Sequence, residues 1–176
     1  HLFSSAASDV YKRQLLDTFI KIHIENQINA GATIIQIFDS WAGLIKKDFD
    51  RFLYNPTLSL VNHAKKLGVP VICFPRGISD YVKFSKLVKP SMINIDYNVD
   101  AENIVKLLDI PIQGGLDPKL LLTNKDILKR ETQKYLEIFK DHPYVFNLGH
   151  GILPETEVEM VYELIEIVRG LSLIHI

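Results

Sequence analysis

Five short stretches of this chain place ion-pairing or hydrogen-bonding side chains where an apolar run turns polar. They are "FDSWAG" at 38–43, "FPRG" at 74–77, "IDYNVD" at 95–100, "QGGLDP" at 113–118 and "NLGHG" at 147–151. Ser40 reads either as a turn or N-cap residue or as a hydroxyl that binds a substrate carboxylate. No G-x-S-x-G frame surrounds it, so it is not read as a nucleophile. Phe38, two residues earlier, points to the same side of an extended strand and could form an apolar wall beside it. Arg76 could pair in bidentate fashion with a carboxylate. Asp96 and Asp117 read as loop-holding or capping residues that accept backbone N–H groups. His150, between Gly149 and Gly151, reads either as a turn residue or as a working imidazole displayed at the mouth of a sheet. No metal site is expected: His23, His63 and His142 fall on helices or their ends without H-x-x-x-H spacing, and Cys73 is the single cysteine.

The elements that must carry these residues alternate. "ATIIQIF", "VPVICF", "SMINIDY", "IPIQGG" and "PYVFNLG" read as strands. The "VPVICF" run is continuous enough to be buried on both faces. Between them lie helical patterns. "DTFIKIHIENQINAG" sets Ile20, Ile24 and Ile28 on one face and stops at Gly31. "NPTLSLVNHAKKLG" has Pro56 in its first turn, an inner stripe of Leu60, Ala64 and Leu67, and a stop at Gly68. "DYVKFSKLVK" and "AENIVKLL" follow. "TNKDILKRETQKYLEIFKD" carries a capping-box-like Thr123 and Asp126, with Leu128, Tyr135 and Phe139 facing inward. The last helix is expected from Pro154 to Arg169, with Val158, Val161, Ile165 and Val168 inward.

Strand and helix in alternation predict an α/β protein with a parallel sheet, either an open doubly wound sheet or a (β/α)8 barrel. No glycine-rich phosphate loop follows any strand. Polar, conformationally special residues follow almost every strand instead, as in a barrel whose site is built from its C-terminal loops. Five strands do not close a barrel, so the expected fold is a partial TIM (β/α)8 barrel whose remaining strands lie upstream. Residues 1–14 and 171–176 read as foreign tails flanking a domain over 15–170. The chain has 176 residues, 47% hydrophobic and 23% charged, with a formal net charge of −1. That balance excludes disorder and gives no nucleic-acid-binding face, and no apolar stretch approaches a membrane span. One cysteine fits a reducing cytoplasm.

Taken in order, "FDSWAG", "PVICFPRG", "IDYNVD", "IQGGLDP" and "FNLGHGILPET" resemble the C-terminal half of the uroporphyrinogen decarboxylase family, from about Asp17 to Gly170. The resemblance implies a cytoplasmic, homodimeric barrel enzyme that removes CO2 from the four acetate arms of uroporphyrinogen III to give coproporphyrinogen III. It implies no metal and no organic cofactor, because a protonated pyrrole ring serves as its own electron sink. Carried over by position, Ser40 becomes a substrate-contacting hydroxyl, Phe38 an aromatic wall and His150 a substrate-contacting imidazole. The flanking glycines would then shape the loop and leave room for the ring. No catalytic residue is assigned within this segment, because the family's arginine-rich loop, its pyrrole-binding aspartate and a tyrosine belong upstream. On this reading the chain alone is inactive. Gly115 departs from the "QGNLDP" form of relatives. The other readings are a corrinoid or methyl-transferring barrel enzyme of the same superfamily, disfavoured by the lack of a cysteine near "NLGHG", and a non-catalytic fragment.

Overall fold

The computed structural model describes residues 2–172. Five strands, β1 (Ile35–Asp39), β2 (Val71–Pro75), β3 (Met92–Ile95), β4 (Ile112–Gly114) and β5 (Tyr144–Val145), form one parallel sheet in the order β1-β2-β3-β4-β5. A Leu116–Leu148 bridge prolongs the last pair. Helices α1 (Leu2–Asn29), α2 (Asn55–Lys66), α3 (Tyr81–Val88), α4 (Ala101–Leu107), α5 (Lys125–Ile138) and α6 (Val158–Ser172) alternate with the strands. A doubly wound sheet reverses its strand order, which puts helices on both faces. Here the order never reverses, so right-handed crossovers keep every helix on one side. This is a barrel segment. Among the described residues, nothing pairs with the outer edges of β1 and β5.

The two faces of the strands differ in chemistry. Ile35, Val71, Cys73, Ile93, Ile95 and Ile112 bury themselves against Val61, Phe84, Val88, Ile104 and Phe139 of the helical layer. The alternate positions Gln36, Phe38, Asn94 and Gln113 lie on the opposite face. There the Gln113 amide donates to Asn94 Oδ1 at 2.8 Å and to Gln36 Oε1 at 3.2 Å. Strands β1 and β4 would stand roughly 14 Å apart in a flat sheet. A direct glutamine–glutamine bond across two intervening strands therefore requires a sheet curled toward that face, as in a barrel wall.

Most sequence-based boundaries hold, and the departures have local causes. Asn124 caps α5 by accepting from Ile127 N at 2.9 Å, while the Thr123 hydroxyl turns back to Leu120 O. The expected Thr123–Asp126 box is thus displaced by one residue. Helix α6 begins at Val158, not Pro154, and continues past Gly170 to Ser172. Its buried face is Met160, Leu164 and Ile167, packed on Leu116, Leu121 and Leu128, with Val161 and Val168 at the margin. Val158 and Ile165 face solvent. Ile24 is buried and Ile28 packs against the core, but Ile20 and Leu67 are exposed. Residues 2–14, expected outside the fold, continue as the first part of α1, where Asp9 pairs with Arg13 and Arg51. Their apolar side chains Val10 and Tyr11 remain exposed. The tail expected at 171–176 lies largely outside the described residues. No described helix is long and apolar enough to cross a membrane.

Candidate functional site at the strand ends

Loops following the C-terminal ends of the strands are laced to one another by backbone contacts. Gly43 N donates to Arg76 O at 2.9 Å, and a Cβ on Gly43 would lie 2.4 Å from Gly77 O. That approach admits only glycine. Gly77 N in turn donates to Asp96 Oδ2 at 2.8 Å, and Asp96 Oδ1 accepts from Asn98 N at 2.8 Å. Asp96 is only 3% exposed. Its carboxylate spends both oxygens on backbone donors of two loops, as the loop-holding reading of the sequence expects. Gly149 N donates to Leu116 O at 2.7 Å, joining the loops after β4 and β5. Asp117 caps the following turn through Lys119 N at 2.9 Å.

The glycines around His150 act differently from what the sequence suggests. Neither adopts a positive φ. A Cβ on Gly149 would lie 2.3 Å from Tyr97 N, so this residue is small to let the last loop rest directly on the β3–α4 loop. A Cβ on Gly151 would meet nothing within 4 Å. Left-handed backbone occurs instead at Gly114 (φ +84°) and Gly115 (φ +102°), a conformation that suits glycine at both positions. The carbonyls of this pair accept from Tyr144 Oη at 2.7 Å and Tyr135 Oη at 2.8 Å.

On this laced frame stand the residues picked out in the sequence. Phe38 is 66% exposed on the concave face, its ring edge-on to Phe74 at 6.0 Å. Ser40 lies in the turn after β1, exposed, and its hydroxyl makes no hydrogen bond among the described residues. It therefore caps no helix. Ser40, Trp41, Gly43, Leu44, Arg76, Gly77, Asp96 and Asn98 line an open cleft of about 240 Å³. His150 is exposed at the other margin of the sheet, beyond β5. The curl set by the Gln113–Gln36 bond brings β1 toward β4, the strand with which β5 pairs. Trp41, 73% exposed in the cleft, escapes the sequence reading, although it is the only tryptophan and follows Ser40 directly. Gln36, Asn94 and Gln113 escape it too. Their signal is an amide at an inward position of three of the five strands, β1, β3 and β4. No three His, Cys, Asp or Glu side chains stand together as a metal-ligand set among the described residues.

A buried thiol and a half-buried phenol give the fold a pH dependence. Burial pushes the Cys73 thiol up to about 12, with Lys65 pulling weakly the other way. Burial and then the nearby Asp117 carboxylate push Tyr135 to about 12. Folding holds both groups neutral, so their contribution is fully present below the unfolded-state values near 9 and 10. It is lost as pH rises toward 12. The urea midpoint should fall steadily between pH 9 and 12, and iodoacetamide at pH 8.5 should leave native Cys73 unmodified. A flat midpoint over that range, with rapid alkylation of the folded chain, would contradict the burial of both groups.

Comparison with known proteins agrees with this layout. Residues 13–171 match the family described as uroporphyrinogen decarboxylase (URO-D). The uroporphyrinogen decarboxylase of Rickettsia africae is 41% identical over 152 residues, covering 84% of this chain and 44% of that protein. The Rickettsia bellii protein of the same name is 42% identical over 153 residues, covering 84% and 45%. The chain thus spans less than half the length of the curated relatives it matches. A methyltransferase from Methanosarcina mazei superposes with a TM-score of 0.70 at 19% identity, over 86% of this chain and 46% of that one, a likeness in fold alone. The sequence match runs through every strand and every laced loop: the chain belongs to the uroporphyrinogen decarboxylase family.

Proposed function

We propose that this chain supplies the C-terminal wall of a uroporphyrinogen decarboxylase site. The carrying observation is the row of polar and aromatic side chains left uncommitted on a rigid rim: Phe38, Ser40 and His150 at strand ends, over loops held by Asp96, Gly43 and Gly149. The substrate is a tetrapyrrole with acetate and propionate arms. Loss of CO2 from an acetate arm needs a place for the electron pair, and a pyrrole protonated at the adjacent carbon accepts it. The breaking C–C bond delivers its pair to the ring; a second proton then adds to the methylene carbon while the first leaves the ring carbon, which restores the aromatic pyrrole with a methyl group in place of the acetate. Such chemistry asks the protein for orientation, proton delivery and compensation of transient positive charge. In this reading Ser40 and His150 hydrogen-bond to arm carboxylates and Phe38 lies against the macrocycle. No metal or organic cofactor takes part.

The proposal also takes the family fold to begin near residue 15, with 1–14 and 171–176 outside it. It places the working enzyme in the cytoplasm as a homodimer whose remaining strands come from the part of the relatives that this chain does not span. The methyl-transferring alternative has only a structural likeness behind it.

A chimera tests the reading. Residues 15–170 would replace the matching C-terminal part of the Rickettsia africae enzyme, and coproporphyrinogen formation would be followed by fluorescence after oxidation. The chimera should turn over, and His150→Ala within it should lower kcat/KM by roughly tenfold or more. A folded chimera with no turnover, or full activity in the His150→Ala form, would overturn the assignment of this rim to the reaction.

A further inference from the structure

We infer that Arg76, with Ser40 and Trp41, forms a subsite for one carboxylate arm of the tetrapyrrole, separate from the surface that takes the macrocycle; the inference rests on the function proposed above. Its first support is how tightly the Arg76 backbone is fixed. Arg76 N lies 3.0 Å from Asp39 O and 3.1 Å from Phe74 O, its carbonyl accepts from Gly43 N, and the next residue donates to Asp96.

The second support is that, among the described residues, none of the nearby acids pairs with the guanidinium. Asp39 Oδ1 accepts from Trp41 N at 3.2 Å, and Asp96 uses both oxygens on Gly77 N and Asn98 N. The guanidinium makes no ion pair or hydrogen bond among the described residues, whereas Arg13, Arg51 and Arg130 each pair with a carboxylate. Arg76 is half-buried and lines the cleft, which leaves a planar pair of donors available to an anion from outside.

Size limits what the cleft can take. A cleft of about 240 Å³ is below the range of roughly 300–1,000 Å³ typical of pockets for whole small molecules. It admits a short carboxylate arm but not a tetrapyrrole. The Ser40 hydroxyl can donate to the same carboxylate, and the Trp41 indole covers the methylene stem. The large exposed face of Phe38 on the neighbouring concave surface is where the ring itself would lie.

Because Trp41 is the only tryptophan, its emission reports on this cleft alone. The 176-residue chain would be titrated with uroporphyrin I, an octacarboxylate, and with coproporphyrin I, which keeps the propionates and replaces the acetates by methyls. Uroporphyrin should quench Trp41 saturably and less tightly as salt is added. Arg76→Gln should raise the Kd roughly tenfold to a hundredfold, and Arg76→Lys should recover part of it by restoring charge without the fork. Equal losses on both porphyrins would support the subsite and assign it to a propionate; a loss confined to uroporphyrin would support it and assign it to an acetate. Tight quenching unchanged in Arg76→Gln would overturn the subsite while leaving the tetrapyrrole reading intact. No saturable quenching of the parent chain by either porphyrin would overturn both.

Discussion

Replacing Gly149 by alanine should destabilise the fold by about 3 kcal/mol or more, while the same change at Gly151 stays within about 0.5 kcal/mol. The two residues flank one histidine and look equivalent in sequence. Their surroundings are not. The added methyl at 149 collides with backbone on the far side, Tyr97 N at 2.3 Å and the carbonyl carbon of Asp96 at 2.8 Å. Backbone in a laced loop has little room to yield, so strain spreads into the β3–α4 turn. At 151 the methyl enters open space. Urea unfolding at neutral pH, followed by far-UV circular dichroism with the slope held constant, measures both. A Gly149→Ala midpoint close to that of Gly151→Ala would mean that the last loop can lift off β3, and that His150 is less firmly placed than the geometry implies.

The second large effect is expected at Asp96. Asp96→Ala removes the acceptor of two backbone N–H groups, those of Gly77 and Asn98, both in loops that border the cleft. Each charge-assisted bond contributes about 1.5–3 kcal/mol, offset in part by no longer burying a carboxylate. A net loss of about 2–4 kcal/mol follows. Asp96→Asn should recover only a fraction, since its amide keeps one acceptor oxygen and turns a donor toward the second N–H. The same variants should shift the Trp41 emission maximum, because the loop carrying Arg76 packs on the loop carrying Trp41 through Gly43 and Gly77. Stability losses under about 1 kcal/mol for Asp96→Ala would assign the lacing to Gly43 and the strand pairing instead.

The strands and helices were legible because their signals are local. Apolar β-branched runs, the Pro56 start and the Gly68 stop each act within a few residues. Phe38, Ser40 and His150 were legible as candidates because each follows a strand, where a barrel assembles its site. What could not be read is what depends on contact between distant segments. Nothing near "NLGHG" reveals that Gly149 presses on Tyr97, and the sequence offered loop shape as the reason for both glycines. Helix α6 shows the same limit. Its spacing allowed a stripe through Val158 and Ile165, but Leu116 and Leu128 arrive from elsewhere and select Met160, Leu164 and Ile167. Trp41 was missed for a related reason: a large aromatic residue after a strand normally signals packing, and only the folded chain shows it standing in solvent.

The strand order has a consequence for how the chain comes to be folded at all. Each strand pairs with the one just before it, so every new ladder closes only the short loop spanned by a single crossover helix. Growth can proceed outward by one strand-helix unit at a time, in the direction of synthesis, without waiting for a distant partner. Gln113 is the exception, because its bond to Gln36 reaches back across 77 residues of chain. That contact can form only after β4 has arrived, so the full β1-to-β4 curl cannot be in place until four strands are, whereas the loops laced through Gly43, Gly77 and Asp96 need only the first three.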